Sequence, residues 1–158
     1  MKTILQSQYA MICDARNVLL LYCETIQPDH FVQEQPGFGK GGSMRNLLVH
    51  IGNTYEGWLA RRVLARNINF TPYESLSSVT ACRTFFAGID LLVEEFLTIF
   101  EDDYYRTLAP LVINDQTITF TPLKVFMHVI THEFHHKGQI LSISRLLGYT
   151  PVDTDVLR

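Results

Sequence analysis

A chain of 158 residues, 47% hydrophobic and 18% charged, is long enough for one packed core and too short for two ordinary domains, so one soluble domain over residues 1–158 is expected. A formal charge of −3 supplies no basic field to steer the chain onto phosphates, and no nucleic-acid partner is expected. Cys13, Cys23 and Cys82 are odd in number, widely spaced and free of any C-x-x-C pair, which argues against a disulfide framework or a cysteine zinc knuckle and fits a reducing cytoplasm.

The amino-terminal MKTILQSQYAMICDARN breaks its apolar residues with polar ones every few positions. It does not read as an export signal, and no window reaches the roughly 18 apolar residues of a membrane span. Over residues 4–25, Ile4, Leu5, Ile12, Ala15, Leu19 and Tyr22 recur at a helical period, and Pro28 ends the block. The next fifteen residues, PDHFVQEQPGFGKGG, hold two prolines and four glycines. They read as a loop (residues 28–42), long for a bundle connection and able either to cover a site mouth or to stay disordered.

Ser43 is placed to cap a second helix running through Leu47, Leu48, Ile51, Trp58, Leu59 and Val63 and fading before Pro72. A third helix covers residues 78–100. Residues 111–120 read as two short strands around Asn114-Asp115, a small hairpin or an extended loop. Thr121 followed by Pro122 opens the fourth long helix, which runs to Leu147, with Gly148 as its left-handed stop. Four long helices in one chain predict an all-α fold, a four-helix bundle. Trp58, Phe85, Phe86, Phe96 and Phe100 fall at helical spacings and are expected in its core.

The fourth helix contains HVITHEFHHKGQI, residues 128–140, with four of the six histidines of the chain. At about 100° per residue, His128, His132, His135, His136 and Gln139 share one helical face. Apolar residues surround much of the circumference, as in a helix buried between neighbours. Histidines there need partners, because an uncompensated buried polar group costs about 1–3 kcal/mol.

Two histidines at i and i+4 stand one turn apart and can reach one divalent cation at about 2.0–2.1 Å. His132 and His136 have that spacing, and so do His128 and His132. A catalytic site wants a third protein ligand and an open position. Of the two remaining histidines, His30 lies in the glycine- and proline-rich loop, where it is expected to be solvated. His50 sits mid-helix among apolar residues and is the better third ligand. The alternative is that each is a core histidine hydrogen-bonded to a carbonyl or carboxylate.

Ser43-Met-Arg-Asn-Leu-Leu-Val-His50 with Trp58 eight residues on, together with His128-x3-His132-x2-His135-His136-Lys-Gly-Gln139, resembles the DinB/YfiT-like superfamily of proposed metalloenzymes. The resemblance spans essentially the whole chain and implies a DinB-like four-helix bundle. It also implies one divalent metal held by His50, His132 and His136, with His128 and His135 packing beside the ligands. It departs at Lys137, where arginine is usual; the charge survives and the bidentate fork is lost, which removes support for gripping a carboxylate there. Some members of the family are thiol-dependent transferases or isomerases, so a small-molecule substrate and a low-molecular-weight thiol are implied, as is a homodimer. No DNA binding is implied by the name.

Three neutral imidazoles accept zinc, nickel, cobalt or iron, so the metal is left open. Two functional classes follow: an enzyme carrying out metal-dependent transfer or hydrolysis, and a non-catalytic metal- or small-ligand-binding protein. The same residues also satisfy H-E-x-x-H, with Glu133 as the general base of a metalloprotease. That reading lacks a third ligand after His136, and Gln139 stands where its longer form requires glycine. Glu133 is expected at the edge of the histidine face, at most accepting from an imidazole N–H. Gly138 is expected to permit a close helix approach or substrate access.

Overall fold

The computed structural model describes residues 2–39, 41–113 and 115–158. Its elements are α1 (Lys2–Cys23), α2 (Pro28–Val32), α3 (Met44–Tyr55), α4 (Val79–Ile99) and α5 (Pro122–Leu146), with a two-stranded hairpin of β1 (Leu111–Ile113) and β2 (Gln116–Ile118) before the last helix. The predicted all-α bundle with a small hairpin is the observed architecture. Three of the long helices begin as their sequences dictate. The hydroxyl of Ser43 accepts from the Asn46 amide, that of Ser78 from Ala81 and that of Thr121 from Lys124, each satisfying a first-turn N–H that has no partner within the helix. Gly148, with φ at +89°, provides the predicted left-handed exit from α5.

The strands pair antiparallel, with Leu111 opposite Ile118 and Ile113 opposite Gln116. The register leaves a two-residue turn, in which Asp115 is left-handed (φ +61°); Asn114, predicted to share it, lies outside the described residues.

The core is built from facing stripes of α1, α3, α4 and α5. Leu19, Leu47, Leu48, Ile51, Phe96 and Phe126 are all at most 1% exposed. Helices α3 and α4 come unusually close at Gly52, where a Cβ would stand 2.2 Å from the Phe85 ring. A methyl group there forces the ring or the helix to move, at about 1–3 kcal/mol.

Two local features depart from the sequence reading. The predicted loop over residues 28–42 starts with a helical turn, α2, which opens on Pro28 and buries Phe31. The second long helix changes winding, continuing from α3 as a π-helix over Glu56–Val63, with Leu64 N bonded to Leu59 O at 3.0 Å. A π turn advances five residues per hydrogen bond instead of four, so the α-helical period misplaces side chains beyond residue 56. Trp58, expected in the core, is only half-buried.

A buried polar network fixes the rotation of α5. Arg16 of α1 donates to Glu133 Oε1 through Nε at 2.8 Å and to Asp90 through Nη1 at 2.6 Å. The Tyr55 hydroxyl donates to Glu133 Oε2 at 2.6 Å. Arg16 and Glu133 are each 3% exposed, and a half-broken buried pair of this kind is costly. Among the described residues, no helix is long and apolar enough to cross a membrane.

Candidate metal centre

Helix α3 delivers His50, and α5 delivers His132 and His136 one turn apart. One ring nitrogen from each lies within 4.8 Å of the other two, and His132 Nε2 is 3.1 Å from His50 Nε2. Two nitrogens bound to one ion at about 2.0–2.1 Å stand roughly 2.9 Å apart at a right angle and roughly 3.3 Å apart at the tetrahedral angle. The separation of His50 and His132 falls between these values, and the three imidazoles are of the right donor type to hold a divalent cation. The rings meet edge to face, with centroids 5.0 Å apart for His50 and His132, 4.7 Å for His50 and His136, and 4.4 Å for His132 and His136.

Neighbours orient these rings. His136 Nδ1 is 2.7 Å from Gln139 Oε1. An amide oxygen only accepts, so Nδ1 carries the proton and Nε2 is the unprotonated nitrogen, the tautomer that supports ligation. The Gln139 amide nitrogen is 3.2 Å from His135 Nε2. Thr54, one turn after His50, donates to the His50 carbonyl at 2.8 Å and stands 3.1 Å from His132 Nε2. Burial, reinforced by the imidazoles of His136, His50, His128 and His135, lowers His132 to about 3. It is therefore neutral, the ligating form, at physiological pH.

His50 and His132 open onto a cavity of about 560 Å³. Its wall includes Asn53, Thr54, Trp58, Arg62 and His128 together with the segment 70–73. Asn53 ties that segment down, its side chain bonding the Thr71 carbonyl and amide at 2.9 and 3.0 Å. Residues 70–73 thus line the mouth; the sequence allows the loop 28–42 either to cover the site or to stay disordered, and of that loop Lys40 lies outside the described residues.

His128 and His135 pack beside the cluster, whereas His30 lies away from it. His128 stacks on His132 with centroids 5.8 Å apart and meets the Trp58 ring edge-on at 4.8 Å, while His135 is exposed. His30, expected to be solvated, is half-buried and pairs through Nδ1 with the Tyr149 hydroxyl at 2.8 Å.

Three further residues of α5 are placed by the structure. Glu133 does not accept from an imidazole in any observed contact; both its oxygens are taken by Arg16 and Tyr55, which leaves no carboxylate free for the general base of an H-E-x-x-H protease. Gly138 is exposed and a Cβ on it would meet nothing within 4 Å, so it accommodates no close approach. Lys137 grips no carboxylate: its ammonium donates to the Thr154 carbonyl at 2.5 Å and lies over the Phe134 ring, tying the carboxyl-terminal segment to α5. Thr54, Asn53 and Arg62 escaped the sequence reading; only the i+4 spacing of Thr54 from His50 signalled any of them.

Fold and site together define a helical bundle with three convergent imidazoles at a cavity, compatible with a bound metal ion. The model of the DinB family matches residues 1–158, the whole chain, and the protein belongs to the DinB family. Comparison with curated proteins gives no match.

Proposed function

We propose that the protein holds one divalent metal ion through His50, His132 and His136 and uses it in a thiol-dependent transfer or a hydrolysis on a small molecule. The observation that carries this reading is the meeting of three imidazole donors within 4.8 Å beside a 560 Å³ cavity. A protein ligand set of three leaves coordination positions for water or substrate. A divalent ion bound there supplies Lewis acidity, which lowers the pKa of a ligated water or thiol and polarises a carbonyl. The residues do the rest: Gln139 fixes the His136 ring, Thr54 places a hydroxyl beside His132, and the cavity wall orients the substrate. The family does not name the reaction, since fold and function are separable.

A second reading is a metal- or small-ligand-binding protein without turnover, favoured by one observation: no carboxylate lines the cavity among the described residues. The proposal further holds the chain to be one domain, cytoplasmic, and a homodimer that covers the apolar patch of α1 at Ile4 and Met11, which are 70% and 48% exposed.

Cobalt-substituted protein titrated with 2-mercaptoethanol tests the thiol-dependent reading. A saturable sulfur-to-cobalt charge-transfer band is expected, and cobalt that stays bound without developing the band overturns it.

A further inference from the structure

The cavity beside the histidines contains one formal cation, Arg62, and no acid among its described lining residues, although the chain as a whole carries −3. Arg62 is placed by local geometry. It lies on the π-helical segment one turn from Trp58, its guanidinium carbon 4.7 Å from the indole centroid. Its Nη1 donates to the Gly57 carbonyl at 3.0 Å. Gly57 eases that fold-back: a Cβ there would stand 3.2 Å from Arg62 Nη1 and 3.4 Å from the Phe70 ring, so the arginine tip would have to give by a few tenths of an ångström. The guanidinium thus lies over the indole ring at the cavity wall. Among the described residues no carboxylate pairs with it, whereas Arg16 has two and Arg66, Arg83 and Arg106 have one each.

A guanidinium over an aromatic ring, with N–H donors beyond the one given to the Gly57 carbonyl, is suited to bidentate recognition of a planar anion. With no acid among its described lining residues to cancel the Arg62 charge, the cavity is electropositive inside an anionic protein, and such a concave field concentrates anions. Trp58, Phe70 and Tyr73 provide apolar surface in the same wall, and the volume suits a small organic molecule.

We propose that this cavity selects a small molecule carrying a carboxylate or similarly planar anionic group, with Arg62 as the specificity-determining residue that holds that group while the rest of the molecule lies along the aromatic wall toward His50 and His132. The inference deepens the metal-dependent reading of the same cavity, and its test runs with and without metal so that the two can fail separately.

Trp58 is the only tryptophan of the chain and lies in the cavity wall, so its fluorescence reports occupancy directly. Metal-free and zinc-exchanged proteins are titrated with phenylacetate, its neutral isostere phenylacetamide, and the cation phenethylamine. Wild type is expected to prefer phenylacetate over the amide by about tenfold or more, the size of a lost charge-assisted bond, and to bind the amine more weakly than either. Arg62→Ala and Arg62→Gln, at an exposed position where folding is not at risk, lose that preference in both metal states. Arg62→Lys retains part of it, and Arg66→Ala, which removes a charge outside the cavity, retains all of it.

Equal binding of acid and amide by metal-free wild type overturns the proposal, as does a full preference in Arg62→Ala or an equal loss in Arg66→Ala. Absence of any Trp58 response to the probes also overturns it. Preference that survives Arg62→Ala only in the zinc-exchanged protein assigns the anion to the metal and overturns the role of Arg62. Failure to retain zinc counts against the metal reading alone, and the metal-free arm still decides.

Discussion

Glu133 of α5 is bonded to Arg16 of α1, with Nε 2.8 Å from Oε1, while its neighbour His132 is 3.1 Å from His50 on α3. Consecutive residues thus serve two networks, and the buried ion pair sets the helix rotation that carries His132 and His136 to His50. Removing one partner of such a pair leaves an uncompensated buried charge.

Glu133→Gln is therefore expected to lower stability by about 3–5 kcal/mol while leaving metal stoichiometry unchanged below the unfolding transition. Denaturant unfolding and metal analysis on the same samples check this. Zinc-dependent cleavage of a peptide library by wild type, eliminated in Glu133→Gln with metal still bound, would restore the protease reading.

Untagged protein exchanged against zinc is expected to hold about one ion per chain, as a site of three imidazoles and open positions does. His50→Ala, His132→Ala and His136→Ala each lose most of it, and His30→Ala, which only breaks the contact to Tyr149, keeps it. Full stoichiometry in His50→Ala would sink the three-ligand site; His128→Ala in that background then tests whether His128 substitutes.

Gln139→Leu removes the acceptor that fixes the His136 proton on Nδ1. Zinc affinity should fall by roughly 10–100-fold, the usual size of such an outer contact, with one ion still bound at saturation. Competition against a chromophoric chelator measures it, and an unchanged affinity would show that Gln139 does not orient the ligand.

The cysteines are expected to be sluggish. Burial, with Asp90 opposing the favourable field of Arg16, pushes the Cys13 thiol up to about 11, and burial pushes Cys23 and Cys82 to about 12. Only the thiolate is alkylated, so a raised pKa leaves roughly a thousandth of Cys13 reactive at pH 8. Its rate should climb nearly tenfold per pH unit through pH 10, where an ordinary cysteine has already levelled. Iodoacetamide labelling followed by mass spectrometry reads this, and a plateau near pH 9 would contradict it.

Light scattering is expected to give twice 18.1 kDa at micromolar concentration, and Ile4→Glu/Met11→Glu should shift it to the monomer. A wild-type monomer across that range would remove the homodimer.

Much was legible in the sequence because it depends on local periodicity. The 3.6-residue spacing of apolar residues, the hydroxyl caps at Ser43 and Thr121, and the stop at Gly148 are properties of one turn of chain, and they define the four long helices without reference to the rest of the molecule. The pairing of His132 with His136 is equally local, fixed by the rise of one helix. The meeting of His50 with that pair spans 82 residues between His50 and His132. It became an expectation by elimination, His50 being the mid-helix one of the two remaining histidines, and through the resemblance of the whole chain to a family; spacing within a helix carries no information across such a distance.

Other features belong to tertiary structure alone. The wheel put Glu133 at the edge of the histidine face, but the choice between an imidazole and Arg16 depends on which helix packs beside α5. Trp58 left the core for the cavity wall because the backbone changes to π winding at residue 56, a shift of one hydrogen-bond step that periodicity cannot register. Arg62 followed it, and whether an arginine is an ordinary surface charge or the one cation of a cavity depends on what the fold sets around it.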